Sequence, residues 1–383
     1  MENPKAKTAV GNPELIGIIR GEIEARGPIS FARFMELALY DPEHGYYASG
    51  RARIGRRGDF FTNVSVGPLF GKLLAAQFAQ VWQKLERPVR FKIVEQGADE
   101  ALFAADVLRA LRQSHSECFE VACYLIIERS PILRERQQEN LRDFAEKVSW
   151  TQSIKDLEPF VGIHFSNELF DSLPVHLLVS GGAAHGATVW NEKLVTNTGD
   201  RFAFTTRTDA SANLQVDHLG ILPTDFETEL NLAAPELMSQ IAAKLSRGVI
   251  LVIDYGFSRE EFYAGYRNKG TLQVRAKHKK LLSPLEQIGL ADISAYVEWT
   301  SLVEAAQLSG AIQLAFTDQH HFFTGIISEF FPDAAFNASE KRALQTLLHP
   351  EMLGRTFQVL ALGKNFHEKL AGFRFARGPG RFP

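Results

Sequence analysis

One short segment combines an amide with two carboxylates, residue types that bind cationic groups. Asn167, Glu168 and Asp171 follow an apolar run that includes Phe165. Carboxylates placed close together bind a guanidinium or an ammonium group through charge-assisted hydrogen bonds, and they can accept a proton from it. Asn167 and Asp171 are also residue types that cap helices. The segment therefore indicates either a site for a cationic group or a capping arrangement.

A second set of residues has the order of a nucleotide site. An apolar run ends at Glu95, the chain turns at Gly97, and a later apolar run ends at Glu128. In a βαβ unit the helix N-terminus faces an anionic group, and the acid after the second strand accepts hydrogen bonds from ribose hydroxyls. A dinucleotide site would carry three glycines, but Asp99 and Ala101 stand where close backbone approach favours glycine. These residues alone leave two alternatives, a nucleotide site and an α/β core without a cofactor.

Alternating apolar runs and helical patterns predict the frame that holds these residues. Strands are expected at 90–96, 123–128, 147–150, 161–167 and 248–254, and helices at 99–114, 131–145 and 227–245. This order is typical of an α/β fold with a doubly wound, Rossmann-like parallel sheet. Ligands of such sheets lie beyond the carboxyl ends of the strands. Acids occur at four of these ends: Glu95, Glu128, Glu168 and Asp254.

The other segments divide the chain into three predicted parts. Residues 1–88 form an N-terminal helical segment with an arginine-rich loop, residues 89–365 form the α/β core, and residues 366–383 form a tail that is flexible unless docked. Two insertions interrupt the core. We expect an antiparallel meander at about 174–225 and an excursion with scattered aromatic and basic residues at about 255–300.

Composition argues against several classes of protein. The chain of 383 residues is 45% apolar and 23% charged, a composition typical of globular proteins. Its net charge of −3 argues against broad binding to nucleic acid. No apolar run approaches the about 18 residues of a membrane span. Cys118 and Cys123 form no C-x-x-C pair, and the adjacent His320 and His321 lack a third ligand, so no metal site is expected. The sequence predicts a cytoplasmic protein.

Several motifs follow one another in a characteristic order. They are Gly58-Asp-Phe-Phe-Thr62, Glu128-Arg-Ser-Pro131, Asn167-Glu168 with Asp171, Ser172 and Pro174, Asp254-Tyr-Gly256, Gly270-Thr-Leu272, and His278. Together they resemble the motifs of the MidA-type, class I S-adenosylmethionine-dependent methyltransferases, which include G-D-F-x-T and N-E-x-x-D-A-x-P. The resemblance covers roughly residues 20–365.

The resemblance implies S-adenosylmethionine as the cofactor and assigns residues to it. The cofactor-binding residues would be Asp59, Thr62, Glu95, Gly97 and Glu128, and the catalytic residues Asn167, Glu168 and Asp171. The family's E-x-G-P-G-x-G loop is here Glu95-Gln-Gly-Ala-Asp-Glu-Ala101. Asp99 and Ala101 oppose cofactor binding, because the methionine carboxylate of the cofactor would meet a like charge and added Cβ atoms.

The resemblance also implies a reaction and a partner. Mitochondrial members of the family are complex I assembly factors that methylate a protein arginine. We therefore expect methyl transfer to an arginine of a protein substrate, such as a respiratory-complex subunit, and we count a homodimer among the expected assemblies. The altered loop leaves an alternative, a scaffold or assembly factor with the methyltransferase fold that no longer binds cofactor. A nicotinamide-dependent oxidoreductase is disfavoured because the glycines are missing.

Overall fold

The structure of the protein is a computed structural model that describes residues 10–50, 62–184, 187–208, 210, 214, 216–277 and 279–376. Asp59 and His278, which the motifs single out, and the arginine-rich loop of residues 51–57 lie outside the described residues. No helix in the described ranges is long and apolar enough to cross a membrane.

The helices and strands alternate along much of the chain. The helices are α1 (Pro13–Arg26), α2 (Phe31–Tyr40), α3 (Leu69–Lys84), α4 (Leu102–Ser114), α5 (Ser116–Val121), α6 (Pro131–Asn140), α7 (Ala233–Lys244), α8 (Arg259–Phe262), α9 (Trp299–Leu308), α10 (Gln319–Phe330) and α11 (Ala338–Leu348). The strands are β1 (Ile29–Ser30), β2 (Phe91–Gln96), β3 (Ala122–Ile127), β4 (Val148–Thr151), β5 (Phe160–Asn167), β6 (His176–Ala184), β7 (Ala187–Thr198), β8 (Arg201–Arg207), β9 (Glu227–Leu230), β10 (Leu245–Asp254), β11 (Gly256–Phe257), β12 (Gln273–Ala276), β13 (Lys279–Lys280), β14 (Asp292–Ser294), β15 (Val297–Glu298), β16 (Ile312–Asp318) and β17 (Gln358–Lys364).

A seven-stranded sheet carries the predicted acids at the ends of its strands. Its order is β16-β17-β10-β5-β2-β3-β4. The five strands from β10 to β4 are parallel, whereas β17 runs antiparallel to both of its neighbours. The predicted α/β fold with a mostly parallel, doubly wound sheet is confirmed, and each of the five predicted core strands is present.

Three helix predictions need correction. The helix expected over 99–114 begins only at Leu102, because Asp99 and Ala101 adopt left-handed backbone angles with φ of 46° and 59°. The helix expected over 131–145 ends at Asn140. The helix expected over 227–245 begins at Ala233. Residues 227–230 instead form β9, because they pair with residues 176–179 of β6.

Aromatic side chains of the α3 and α4 helices fill the core on one face of this sheet. Phe165 of β5 stacks on Phe103 of α4 with ring centroids 4.6 Å apart, and Phe78 of α3 meets Phe165 edge-on at 5.6 Å. All three side chains are buried. This packing holds β5, and with it the segment that follows Asn167, against two long helices.

The chain forms two compact units, each with its own apolar core. The unit with the seven-stranded sheet contains residues 61–171, 235–256 and 299–383. The other unit contains residues 1–60, 172–234 and 257–298. The sheet of this second unit has the order β1-β7-β6-β9, with β8 also paired to β7. Its strands β6, β7 and β8 are antiparallel, which confirms the predicted meander.

The described part of the C-terminal tail is docked on the unit with the seven-stranded sheet. Phe366 and Leu370 are buried in its core. The backbone N–H of Gly372 donates to Oε1 of Gln77 at 2.9 Å, and that of Ala371 donates to Oε1 of Gln80 at 2.9 Å. The sequence analysis expected a flexible tail unless it was docked, and residues 366–376 are docked.

Two glycine substitutions should have opposite effects on stability. A Cβ at Gly162 of β5 would lie 1.9 Å from the backbone oxygen of Lys92, so Gly162→Ala should lower the free energy of unfolding by about 3 kcal/mol. Gly21 lies in α1 with no atom within 4 Å of an added Cβ, so Gly21→Ala should raise it by about 0.5–1 kcal/mol. Denaturant unfolding of both variants tests this. Equal stabilities would contradict the tight approach of β2 and β5.

Candidate functional site

The segment after β5 turns sharply at Glu168. Its φ of 53° is left-handed, a conformation that is uncommon for residues other than glycine, asparagine and aspartate. The backbone N–H of Glu168 donates to the oxygen of Ile253 on β10 at 2.9 Å. No helix begins between residues 168 and 175, so the alternative that Asn167 and Asp171 cap a helix is wrong. The turn stands at the carboxyl end of the sheet.

The carboxylate of Asp254 fixes this turn. Its Oδ2 accepts hydrogen bonds from the backbone N–H groups of Leu169, Phe170 and Asp171 at 3.2, 3.0 and 3.3 Å. Its Oδ1 accepts from the N–H of Tyr255 at 2.9 Å. Asp254 is fully buried. Burial and the nearby Glu168 carboxylate raise the pKa of Asp254, while the backbone donors oppose that shift.

Asn63 joins the amide and the first carboxylate of the segment. Its Nδ2 donates to Oδ1 of Asn167 at 2.9 Å, and its backbone N–H donates to Oε1 of Glu168 at 3.2 Å. Nδ2 of Asn167 also donates to Oε1 of Glu168 at 3.0 Å. These bonds hold the predicted catalytic residues Asn167 and Glu168 in one network. Sequence reasoning missed Asn63, although it directly follows Thr62 of the G-D-F-x-T motif.

The third predicted catalytic residue, Asp171, is held by Tyr255. The Tyr255 hydroxyl donates a hydrogen bond to Oδ2 of Asp171. The Tyr255 ring packs edge-on against Phe357, with centroids 5.5 Å apart. The N–H of the next residue, Gly256, donates to Oε1 of Gln358 at 2.9 Å. The D-Y-G motif therefore fixes the N-E-x-x-D segment through both Asp254 and Tyr255.

Thr62, a predicted cofactor residue, is buried at the start of a 3₁₀ turn over Asn63–Val66. Its backbone N–H donates to Oγ of Ser65 at 3.2 Å, and the two side-chain oxygens are 3.1 Å apart. Thr62 thus shapes the turn that presents Asn63. Asp59, the other predicted residue of this loop, lies outside the described residues.

The first acid of the predicted nucleotide site, Glu95, has its carboxyl group inside the fold. It lies near the end of β2 with 4% of its surface exposed, and the Tyr124 hydroxyl donates to its Oε2 at 2.7 Å. Burial raises the pKa of Glu95 to about 7, and the hydrogen bond from Tyr124 lowers it. The observed bond ties β2 to β3. Contact of Glu95 with a cofactor stays a prediction.

The loop after β2 keeps left-handed backbone angles at two positions that lack glycine. Gly97 has a φ of 82°, and a Cβ there would come within 3.4 Å of Cδ1 of Leu169. Asp99 and Ala101 follow in left-handed conformations. Burial raises the pKa of Asp99 to about 6, and the nearby carboxylates of Glu100 and Glu128 act in the same direction.

Glu128 is half-buried and firmly oriented at the end of β3. Its Oε1 accepts from the N–H of Ser130 at 2.7 Å, and its Oε2 accepts from Nε2 of Gln137 at 3.0 Å. Nε2 of Gln137 also donates to the backbone oxygen of Asp99 at 2.7 Å, and Oε1 of Gln137 accepts from Nε1 of Trp150 at 2.9 Å. Gln137, which sequence analysis did not assign, therefore links the loop to the acid.

These residues fit the adenosyl part of the implied cofactor. A fixed carboxylate at the end of the second strand is the group that accepts hydrogen bonds from ribose hydroxyls. The left-handed φ of Gly97 favours glycine, and a residue without a side chain suits close backbone approach. The fit is poorer at Asp99, whose carboxylate would face the methionine carboxylate of the cofactor. In the described ranges, no group of three His, Cys, Asp or Glu residues could hold a metal ion.

Comparison with known proteins agrees with this geometry. A protein arginine methyltransferase NDUFAF7 homolog of Drosophila melanogaster, named as mitochondrial, is 28% identical over 345 residues, which cover 81% of this chain and 74% of that protein. The human protein arginine methyltransferase NDUFAF7, also named as mitochondrial, is 25% identical over 397 residues, covering 93% of this chain and 84% of that one.

One solved structure is similar to this protein over nearly the full length of both chains. A COG1565 superfamily member from Burkholderia thailandensis, crystallised with S-adenosyl-homocysteine, is 30% identical. It superposes with a TM-score of 0.84 over 97% of this chain and 99% of that one. A family model of S-adenosyl-L-methionine-dependent methyltransferases matches residues 73–317, more than half of the chain. The protein therefore belongs to this family, the MidA-type S-adenosylmethionine-dependent methyltransferases.

Proposed function

We propose that this protein transfers a methyl group from S-adenosylmethionine to an arginine side chain of a protein. The observation that carries the proposal is the network that fixes Asn167, Glu168 and Asp171 at the carboxyl end of the sheet. Two carboxylates held in one segment suit a guanidinium group, which donates several hydrogen bonds in a fixed plane. The names of the Drosophila and human relatives support the same reaction.

Under this proposal Glu168 orients the target and limits its rotation. Two hydrogen bonds from Asn63 and Asn167 converge on its Oε1, so the carboxylate needs no rearrangement when a guanidinium arrives. Preorganised groups lower a barrier chiefly by holding the reacting atoms in line. Asn167 has a positioning role, since its amide fixes the Glu168 carboxylate and is itself fixed by Asn63.

Asp171 acts as the second acceptor and the candidate proton acceptor. The Tyr255 hydroxyl donates to its Oδ2 and so holds the carboxylate in one orientation. Methyl transfer to a guanidinium nitrogen leaves that nitrogen with a proton to lose, and a nearby carboxylate accepts it. Tyr255 is thus a positioning residue for Asp171.

We assign cofactor binding to Glu128, Gly97, Glu95, Thr62 and Asp59. S-adenosylmethionine supplies an electrophilic methyl group when bound. Glu128 would accept hydrogen bonds from the ribose, and the Gly97 turn would let the backbone approach the cofactor closely. Gln137 would hold Glu128 and the loop together.

We also propose that the substrate is a protein, and the mitochondrial family members imply a subunit of a respiratory complex. We propose a homodimer as the assembly to test. For the compartment we retain the cytoplasm. Both described cysteines, Cys118 and Cys123, are free thiols, which is the usual state in a reducing environment.

A second candidate function is a scaffold that no longer binds cofactor. Asp99 and Ala101, side-chain residues in left-handed positions of the cofactor loop, favour it. If the wild type fails to bind S-adenosylmethionine while Asp99→Gly binds it, the scaffold is the better description.

Glu168→Gln should reduce methyl transfer by about 100-fold, because it removes the charge that holds the guanidinium. It keeps an oxygen for Asn63 and Asn167, so the free energy of unfolding should change by less than about 1 kcal/mol. Incorporation of labelled methyl groups into an extract from cells that lack the enzyme measures the rate. Glu158→Gln, an exposed acid on the loop before β5, is the control. Unchanged turnover in Glu168→Gln would rule out this role.

Asp99 should weaken cofactor binding in a pH-dependent way. Its pKa is raised to about 6, so the carboxylate is charged at pH 8 and mostly neutral at pH 5. Asp99→Gly and Asp99→Asn should therefore bind S-adenosylmethionine about three- to tenfold more tightly than the wild type at pH 8, and the gain should vanish at pH 5.

Calorimetric titration measures these affinities, and Glu128→Ala should bind more weakly than every Asp99 variant. If only Asp99→Gly binds S-adenosylmethionine more tightly than the wild type, the volume of the Asp99 side chain, and not its charge, weakens binding. Equal affinities of the wild type and Asp99→Asn at pH 8 would contradict the repulsion between the two carboxylates.

A further inference from the structure

A strongly basic hairpin projects from the three-stranded sheet of the unit that contains the meander. We call residues 273–277 and 279–282 the basic hairpin. Its strands β12 and β13 are joined by a turn in which Lys277 has a φ of 51°. Its exposed bases are Arg275, Lys277, Lys279 and Lys280. The sheet has the order β13-β12-β14, so β13 is an edge strand.

A buried carboxylate fixes the start of the basic hairpin. Glu229 of β9 accepts hydrogen bonds from the backbone N–H groups of Thr271 and Leu272 at 2.8 and 3.0 Å, and from the Thr271 hydroxyl at 3.0 Å. A Cβ at Gly270 would lie 2.2 Å from Oε1 of Glu229. The Gly270-Thr-Leu272 motif therefore positions the basic hairpin.

One face of the basic hairpin is packed, and Arg275 and its cross-strand partner Lys280 lie on the opposite face. Val274 is buried in the core of its unit, and Leu272, Ala276 and Leu281 pack against that core. The N–H of Leu281 donates to the oxygen of Val274 at 2.9 Å. The hairpin is thus held as part of the sheet.

Among the described residues, the charges of Arg275, Lys279 and Lys280 are poorly compensated. Arg275 and Lys280 face each other directly across the two strands, a like-charge pair that costs stability. Nε and Nη2 of Arg275 donate to Oε1 of Gln273, a neutral amide, at 3.2 and 2.7 Å. The acid opposite Arg275 on β14, Asp292, accepts the Tyr47 hydroxyl at 2.6 Å. In the described part of the chain, Arg275, Lys279 and Lys280 form no ion pair.

We propose that the basic hairpin binds an acidic, leucine-containing segment of a protein partner. An anionic segment would relieve the repulsion between Arg275 and Lys280. Leu282, beside these bases, is completely exposed and offers an apolar contact that a purely electrostatic surface does not need. The proposal concerns binding and holds whether or not the partner is the methylated protein.

Protection of a sheet edge and binding of nucleic acid both fit the basic hairpin less well. Lysines on an edge strand prevent sheets from pairing, but that role does not require a second base opposite or an exposed leucine. A nucleic-acid surface would be broader and would interleave aromatic residues, and residues 273–282 contain none. The net charge of −3 also disfavours general attraction of nucleic acid.

The test uses a short fluorescent peptide of glutamates with leucine at its centre. Anisotropy at low salt should show binding by the full-length wild type. Lys279→Glu with Lys280→Glu should weaken it by about tenfold. Leu282→Ser should weaken it by about fivefold. The control is Lys341→Glu with Arg342→Glu, two exposed neighbouring bases of α11, which changes the net charge equally and should leave the affinity unchanged.

A midpoint of thermal unfolding equal to that of the wild type shows that a variant keeps the fold. Equal losses of peptide affinity in the two double variants would overturn the proposal, because binding would then depend on the net charge of the protein and not on the basic hairpin. Failure of the wild type to bind the peptide would also overturn it. So would tighter, hairpin-dependent binding of oligouridine RNA or phosphatidylserine vesicles.

Discussion

The candidate site depends on the bond between the Asp254 carboxylate and the backbone of the turn after β5. Three N–H groups, from residues 169–171, point at one oxygen, and the fourth donor holds the other oxygen. A buried carboxylate must be satisfied in this way, because leaving it without donors costs several kcal/mol. The same hydrogen bonds fix the shape of the turn, including the left-handed backbone conformation of Glu168. Parallel pairing of β10 with β5 brings the two partners together.

Stiffness of this kind suits a reaction that depends on alignment. Methyl transfer needs a nucleophile in line with the methyl carbon, and the protein contributes by holding groups in place. The cofactor loop combines well-fixed groups with an unfavourable one. Glu128 and Gln137 are held in a connected network, whereas Asp99 is a partly buried carboxylate that we propose repels the carboxylate of the cofactor. Family membership defines the cofactor, and the affinity of this chain for it is the property that the proposed Asp99 variants test.

The sequence predicted what depends on local pattern. Apolar runs ending in acids located the parallel strands, and the grouping of Asn167, Glu168 and Asp171 located the candidate site. It could not predict the bond from Asn63 to Glu168, which spans 105 positions, or the bond from Tyr255 to Asp171, which spans 84. Such bonds are decided by tertiary packing. The same reason explains β9, where pairing with β6 overrides the helix preference of the glutamates in residues 227–230.

The most direct test of arginine methylation identifies the residue that receives the methyl group. The protein would be incubated with S-adenosylmethionine carrying a deuterated methyl group and with an extract from cells that lack it, and the products would be analysed by peptide mass spectrometry. We expect deuterated methyl groups on arginine of a protein, and only when the enzyme is present. Binding of the cofactor without label on any protein side chain, or label confined to small molecules, would contradict the proposed reaction.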